Sequence, residues 1–163
     1  MANLAKSKNR FDIFMPRDIR HIQREGRASL DSEFQAGDLV CRRNGRLELC
    51  DPDADPFFET APVELVWTDG RHRVDKERVR LDGTREKEYS TIAMSCFATI
   101  DEELIDLDNS TPANVSEGQL LMKGPEGKML VGDLADLAGD YHLVVGHVEE
   151  EKTDGKYVAR FTL

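Results

Sequence analysis

The chain has 163 residues, enough for one domain or two small ones, and its 22 Lys and Arg against 32 Asp and Glu give a formal net charge of −10. This excess of anions argues against a dedicated nucleic-acid binder, because phosphate contacts need clustered cations. No run approaches the roughly 18 apolar residues that a membrane-spanning helix needs, so no membrane partner is expected.

The N-terminus lacks the apolar stretch of a secretory signal, so we expect a protein made in the cytoplasm. Cysteines of such a protein are reduced by default, and the odd count leaves at least one unpaired in any case. We therefore expect free thiols at Cys41, Cys50 and Cys96.

Residues 1–30 are basic, whereas the rest of the chain is acidic. They carry seven cations and three anions, a balance of +4, and the remainder balances at −14. Four apolar residues also fall within five positions of this segment, and they would gain from burial against a partner. We predict that residues 1–33 form an arm that binds a neighbouring subunit; a solvated, frayed terminus is the alternative. The residues chosen as arm contacts are Phe11, Ile13, Phe14, Met15, Arg17 and Arg20.

A short helix is predicted inside this arm, over residues 17–25. Pro16 could occupy its first turn, since proline is tolerated there. Ile19 and Ile22 would share one face, and Gly26 would end the helix.

Asn44-Gly45 predicts a β-hairpin between residues 38–43 and 46–50, because both central positions of such a tight turn need a positive φ. In the simplest register Arg43 lies opposite Arg46. Cys41 and Cys50 then share a face on a diagonal, with backbones about 7–8 Å apart. That separation is too large for an unstrained disulfide within the hairpin.

Further strands are predicted wherever short apolar, β-branched runs end at turn residues. The longest run, residues 91–100, is interpreted as one buried central strand, and short helices are predicted over 101–107 and 133–138. The expected fold is mainly β, a small β-barrel or sandwich with short helices and an extended N-terminal arm, its body spanning 34–163. The other predicted strands cover residues 62–67, 119–123, 128–131, 142–149 and 156–162.

Residues 69–88 are expected to form a charged excursion from this body, since 13 of the 20 residues are charged. A solvated loop is one interpretation. The other is a contact loop whose mixed charges set register against a partner. The contact residues would be Arg71, Arg73, Arg78 and Arg80.

A weak internal repeat is visible. Gly37 and Gly45 begin the two strands of one hairpin, and Gly118 and Gly127 are placed similarly in a second. Each hairpin is followed, after a connection, by a third apolar strand. The repeat predicts two similar three-stranded units, whether or not they arose by duplication.

No catalytic motif emerges, so we expect no enzyme, no cofactor and no metal. A nucleophile elbow, a phosphate loop, a dinucleotide fingerprint and a His-Glu-x-x-His motif are all missing from the sequence. His142 and His147 are five apart on a predicted strand, which places them on opposite faces, the wrong arrangement for joint metal binding.

The chain contains the hairpin Gly-Asp-Leu-Val…Asn-Gly-Arg-Leu, then Leu-Val-Trp-Thr-Asp, then the long apolar strand with its acidic turn. A second hairpin, Gly-Gln-Leu-Leu…Gly-Lys-Met, and the closing pair Val-Val-Gly-His-Val-Glu…Gly-Lys-Tyr-Val-Ala-Arg-Phe follow. In this order of elements, residues 36–163 resemble the small β-rich capsid decoration (cement) proteins of tailed bacteriophages.

The resemblance implies a non-enzymatic virion protein on the capsid exterior that binds the major capsid protein. It also implies association with neighbouring copies, as a homotrimer or dimer. Two other functions stay open: a tail or connector component of the virion, and a non-viral β-barrel module that binds a small ligand or peptide.

Overall fold

The computed structural model of the chain describes residues 11–13, 23–29, 32–67, 78–79, 83, 85–93, 95–137, 139–153 and 155–163. It confirms the predicted mainly β class, with two sheets and, among these residues, one small α-helix, α1 (Phe57–Thr60). The strands are β1 (Phe11–Ile13), β2 (Gln23–Ser29), β3 (Leu39–Arg43), β4 (Arg46–Leu49), β5 (Val63–Val66), β6 (Arg78–Val79), β7 (Arg85–Ile92), β8 (Cys96–Asp101), β9 (Leu120–Lys123), β10 (Met129–Gly132), β11 (Val144–Thr153) and β12 (Lys156–Phe161).

One sheet closes into a five-stranded barrel. Its strands follow the order β2-β4-β3-β5-β7, and β2 returns to pair with β7, so that these five strands form a closed ring. The antiparallel β2–β7 pairing runs from Gln23 opposite Ile92 to Ser29 opposite Glu86. The barrel is completed by a parallel contact between β2 and β4 at Arg27 and Arg46. The short β6 pairs with the start of β7.

The second sheet, called the open sheet below, is antiparallel throughout. Its six strands follow the order β1-β8-β12-β11-β9-β10, so β1 and β10 lie at opposite edges. The edge of β10 is covered by the segment after β8, because Ile105 bridges to Met129 and Asp106 N–H donates to the Met129 carbonyl.

Two apolar clusters hold these sheets together. The smaller one fills the barrel and is formed by Ala28, Phe34, Val40, Leu47, Val66 and Tyr89. The larger one contains Leu39, Leu65 and Ile92 from the barrel strands and Ile100, Leu121 and Phe161 from the open sheet. Since side chains alternate along a strand, β3 contributes Val40 to the barrel interior and Leu39 to the layer between the sheets.

The Asn44-Gly45 hairpin is confirmed, with φ of 51° at Asn44 and 78° at Gly45. Its register is also the predicted one. Arg43 pairs with Arg46, Cys41 pairs with Glu48, and Cys50 N–H donates to the Leu39 carbonyl at 2.9 Å. The turn residues and the two-residue loop length were sufficient to fix this pairing.

The two predicted three-stranded units also form. In each unit the first hairpin strand lies in the centre, giving β4-β3-β5 in the barrel and β10-β9-β11 in the open sheet. The chain therefore repeats one local arrangement in both sheets.

The proposed division into an arm at 1–33 and a separate body needs correction. Phe11–Ile13 form the edge strand β1 of the open sheet, and Gln23–Ser29 form a full barrel strand. The helix predicted over 17–25 is wrong for its last three residues, which belong to β2, and residues 17–22 lie outside the described part. Seven residue pairs with β7 outweigh a weak helical pattern.

The long apolar run at 91–100 is not one strand. The chain leaves the barrel after Ile92 and enters the open sheet at Cys96, so the run joins two sheets. Thr91 and Ile92 are buried on opposite faces of β7, and Cys96, Ala98 and Ile100 are buried on one face of β8. Continuous apolar character here reflects two successive buried strands.

The charged excursion predicted at 69–88 contains strand residues, since 78–79 form β6, and the rest of it up to residue 84, apart from Gly83, lies outside the described residues. Residues 85–88 begin strand β7, and Glu86 is only 1% exposed. Arg46 Nη2 lies 3.0 Å from Glu86 Oε1, and Arg27 Nη1 lies 3.8 Å from Glu86 Oε2. These cations neutralise a carboxylate that the sequence alone places in solvent.

The predicted short helices are shorter than expected. Residues 101–107 contain a 3-10 turn at Glu102–Leu104, and residues 133–138 contain one at Leu134–Leu137. Two more 3-10 turns occur at Pro125–Gly127 and Tyr141–Leu143.

Candidate functional site

Within the described residues, the large apolar side chains left exposed are Phe57, Leu134 and Tyr141, at 37%, 67% and 63%. Phe57 lies on α1, which packs against the turn that carries Tyr141. Leu134 begins the preceding turn. We call these three side chains, with the exposed Asp133, Asp136 and Asp140 that neighbour Leu134 and Tyr141 in the chain, the contact face.

The side of the contact face formed by α1 is held rigidly. Phe58 is buried, and its ring meets that of Phe57 edge-on at 5.2 Å. The Arg43 guanidinium lies 4.2 Å above the Phe57 ring and donates to Asp55 Oδ2 at 2.7 Å. This cation–π stack fixes the exposed ring in one orientation.

Lys123 anchors the other end of α1. It lies on the inner face of the open sheet, 5% exposed, and its Nζ donates to the carbonyls of Phe58, Glu59 and Ala61 at 2.8–2.9 Å. The last carbonyls of a helix have no partner within it, so a buried ammonium can satisfy all three. Lys123 therefore has a structural role.

The turns of the contact face are acidic. No Lys or Arg occurs between Lys128 and Lys152, whereas three aspartates lie between Asp133 and Asp140. Asp136 Oδ2 accepts from the backbone N–H of Asp133 at 3.1 Å, which fixes the first turn. The face therefore combines apolar side chains with negative charge, a combination suited to a basic, partly apolar partner.

A buried ion pair occupies the barrel interior. The Glu64 carboxylate accepts from Arg42 Nε at 2.5 Å, from Arg42 Nη2 at 2.9 Å and from Thr91 Oγ1 at 2.7 Å. Burial alone would raise the pKa of Glu64, but the hydrogen bonds from Arg42 and Thr91 outweigh it and leave the pKa lowered. Arg42 Nη2 also donates to the Glu25 carbonyl. The Arg42–Glu64 ion pair therefore links β3, β5, β7 and β2.

All three cysteines are buried. Cys41 and Cys50 share a hydrogen bond between their thiols, which lowers the pKa of Cys41 and raises that of Cys50. Cys50 Sγ also lies 3.9 Å from the Phe58 carbonyl. Burial raises the pKa of Cys96 to about 11. The reduced state of Cys41 and Cys50 stays a prediction.

His142 and His147, which were predicted to share a strand, lie in different elements. His142 lies in a 3-10 turn, and His147 on β11 contacts Glu149 Oε1 through Nε2 at 3.0 Å. Within the described part of the chain, no three His, Cys, Asp or Glu side chains are grouped in a way that could hold a metal ion. No helix among the described residues has the length and apolar character to cross a membrane.

An acidic cleft of about 480 Å³ lies beside the segment that covers β10. Its carboxylates shape the surrounding turns: Asp51 Oδ1 accepts from Ala54 N–H, and Asp106 Oδ2 accepts from Asn109 Nδ2 at 2.6 Å. The cleft is lined by Asp51, Asp53, Ala54, Asp106, Asn109, Pro125 and Glu126.

Of the predicted contact residues, Phe11 is the one whose side chain the structure describes, and it does not fit the expectation. Phe11 is 5% exposed and its ring lies 6.3 Å from that of Phe161, so it belongs to the core and is unsuitable for a partner. The backbones of Ile13 and Arg78 lie in β1 and β6. The remaining predicted contacts lie outside the described residues: Phe14, Met15, Arg17, Arg20, Arg71, Arg73 and Arg80.

The contact face was missed at the level of sequence. Leu134 and Leu137 are three apart and both fit the buried side of the predicted helix, yet Leu137 is 2% exposed and Leu134 is 67% exposed. Apolar spacing alone does not tell which of two such residues meets the core. The run of aspartates around these leucines was the available signal.

No protein-family model matches this chain, and no curated protein matches it either.

Proposed function

We propose that this chain is a structural protein of a tailed-bacteriophage virion, a decoration protein that binds the outer surface of the major capsid protein and stabilises the head. It acts without catalysis or a cofactor, and it meets neighbouring copies of itself on the capsid exterior. This role rests on the resemblance of residues 36–163 to the cement proteins.

One observation supports it above the others: the quoted motifs lie in paired strands and tight turns. The first hairpin motif is β3–β4, the second is β9–β10, and the closing motif is β11–β12. Their order in the chain thus corresponds to two similar units in a rigid two-sheet body. The resemblance consequently concerns structured elements.

The physical demands of decoration agree with this body. A shell under internal pressure is stabilised by many repeated contacts, so a rigid unit that bridges neighbours gains by multivalency. A net charge of −10 outside the shell would also keep particles dispersed.

The test is co-sedimentation of the full chain with shells assembled from the major capsid protein encoded in the same genome. We expect saturable binding at a fixed ratio to capsid subunits, and cryo-electron microscopy should show density spread over the head. Density confined to the tail or connector would favour that alternative, and absence of saturable binding would contradict the proposal.

One double variant tests predicted arm residues that lie outside the described part, and a second serves as its control. Arg17→Ala with Arg20→Ala should weaken shell binding, most strongly at low salt. The matched control is Lys152→Ala with Arg160→Ala, two exposed cations of the β11–β12 hairpin, which should bind as the wild type does.

A further inference from the structure

We propose that Asn44 is a site of spontaneous deamidation in the folded protein, a covalent modification that converts its side-chain amide into the carboxylate of aspartate or isoaspartate. The site is the tip of the β3–β4 hairpin, Asn44-Gly45, to which the proposed function assigns no role. The inference goes beyond that function and does not depend on it.

The tip of the hairpin projects into solvent. Asn44 and Gly45 are both exposed, and a β-carbon built on Gly45 would meet no atom within 4 Å. In the part of the chain that the structure describes, no hydrogen bond involves the Asn44 side chain or the Gly45 N–H. The amide that is lost and the backbone nitrogen that displaces it are therefore both free to react.

The other two asparagines that the structure describes are better protected. Asn109 is exposed, but its Nδ2 donates to Asp106 Oδ2 at 2.6 Å, which holds the side-chain amide. Asn114 is followed by Val115, which is 8% exposed and whose branched side chain shields the next backbone nitrogen. Of these three asparagines, Asn44 is the one that combines a free amide with a glycine as the next residue.

The reaction needs only these two residues of the tip and water. The Gly45 nitrogen attacks Asn44 Cγ, so that a new N–C bond forms and the Cγ–Nδ2 bond breaks. Nδ2 leaves as ammonia with the proton that the Gly45 nitrogen gives up, and a five-membered succinimide remains. Water then opens this ring. Cleavage of the bond to Cγ gives aspartate, whereas cleavage of the bond to the backbone carbonyl carbon gives isoaspartate, in which the chain runs through the former side chain.

The turn sets the rate of this reaction. With φ of 51° at Asn44 and 78° at Gly45, the tip has the left-handed geometry of a type I′ turn. The planar succinimide fixes ψ of residue 44 at a value that this turn does not have, so the Gly45 nitrogen reaches Cγ when the tip opens. Loop tips open at a lower free energy than the core. We therefore expect a reaction that is slower than in the unfolded chain and still measurable in the folded protein.

The two products differ in their effect on the hairpin. Asp-Gly favours the same turn as Asn-Gly, so aspartate leaves the pairing of Arg43 with Arg46 intact. Isoaspartate lengthens the backbone of the two-residue loop by one carbon atom, and the strands can no longer meet in this register. Arg43 also pairs with Asp55 and stacks on Phe57. Arg46 lies 3.0 Å from the buried Glu86, so the disturbance extends to the contacts of both arginines.

The first experiment incubates the full chain at mildly alkaline pH, folded in buffer and unfolded in urea, and follows each asparagine by mass spectrometry of its peptide. In the folded protein the Asn44 peptide should deamidate at least tenfold faster than the Asn109 and Asn114 peptides, and urea should accelerate its reaction further. Equal rates at the three positions, or reaction of Asn44 in urea alone, would overturn the inference.

The ammonia released by the folded protein provides an independent measure. Asn44→Gly retains a tight turn, because Gly-Gly also favours type I′, and should remove most of the release. Asn114→Gly is the matched control and should release as much ammonia as the wild type. An unchanged release from the Asn44 variant would contradict the assignment of the site.

Heating tests the effect on the hairpin. Aged wild type enriched in isoaspartate, as scored with an isoaspartate methyltransferase, should melt at least about 2 °C below fresh protein. Freshly prepared Asn44→Asp should melt with the fresh wild type. Equal melting temperatures for aged and fresh protein would overturn the predicted loss of register.

Discussion

Glu64 carries its negative charge inside the barrel because Arg42 and Thr91 surround the carboxylate with donors. Its pKa is lowered despite burial, so the ionised form is the stable one in the folded protein. The pair was hidden at the level of sequence, since Arg42 and Glu64 are 22 residues apart and each resembles an ordinary polar position of a half-buried strand.

Arg42→Met should lower the free energy of unfolding by about 3–5 kcal/mol, because the buried carboxylate loses its hydrogen-bonded cation and keeps only the half-exposed Arg24, 3.7 Å away. Urea denaturation measures this loss. Arg160→Met is the control, since Arg160 pairs with Glu149 at the surface, and its cost should stay below about 1 kcal/mol. Equal losses for the two variants would show that the barrel pair is no better ordered than the surface pair.

Cys96 makes the stability depend on pH in the alkaline range. Burial raises the pKa of its thiol from 9.0 to about 11, so the unfolded chain releases this proton first. The stabilisation that this pKa difference gives the folded protein is fully present below pH 9. This contribution, about 2–3 kcal/mol in all, is lost as the pH rises from 9 to 11.

Cys96→Ala removes this contribution. The difference in unfolding free energy between wild type and variant, measured in urea from pH 8 to pH 11, should therefore shrink as the pH rises. A difference that is independent of pH would contradict the assignment to Cys96.

Among the strands, β2 contains a position at which packing requires a glycine. Gly26 lies opposite Tyr89 in the barrel, and a β-carbon at this position would collide with the Leu47 side chain. The glycine that was expected to end a helix instead allows a strand to pass close to the apolar filling of the barrel.

Gly26→Ala should consequently destabilise the protein by about 1–3 kcal/mol, the usual cost of overpacking a core. In a Leu47→Val background, which frees space at the point of collision, the same substitution should cost less than about 1 kcal/mol. Thermal or urea unfolding of the four proteins forms a double-mutant cycle, and additive costs would mean that the two positions do not meet.

The tight turns were predictable, whereas the membership of strands in sheets was not. Asn44-Gly45 determines a local hydrogen-bonded loop, so its residues suffice. The run at 91–100 is apolar on both of its halves, and nothing local marks the transfer from the barrel to the open sheet between Ile92 and Cys96.

At the scale of the whole molecule, closure of the barrel depends on an N-terminal strand that pairs with β7 along seven residues. An arm at 1–33 that is separate from the body, as predicted from the sequence, implies that a chain starting at Ser32 folds with nearly unchanged stability. The structure reverses that expectation, because removal of β2 opens the barrel and exposes Leu47 and Tyr89 to water.

The chain from Ser32 should therefore lose most of its folding free energy, which is about 5–15 kcal/mol for a typical domain. Far-ultraviolet circular dichroism during heating should show a broad transition or none. A chain from Phe11 keeps every described strand and is the control, expected to melt near the wild type. A sharp, unshifted transition for the shorter chain would show that the barrel does not need β2.

Short windows of sequence predict the mainly β class, the register of the Asn44-Gly45 hairpin, the paired three-stranded units and the uneven charge, since these follow from turn residues, alternation and composition. Tertiary packing settles which strands share a sheet, that Phe11 belongs to the core, that Glu64 and Glu86 are buried beside arginines, and that Leu134 and Tyr141 remain exposed. These features join residues far apart in the chain, and local pattern carries no information on which distant partner compensates a buried charge or covers an apolar side chain.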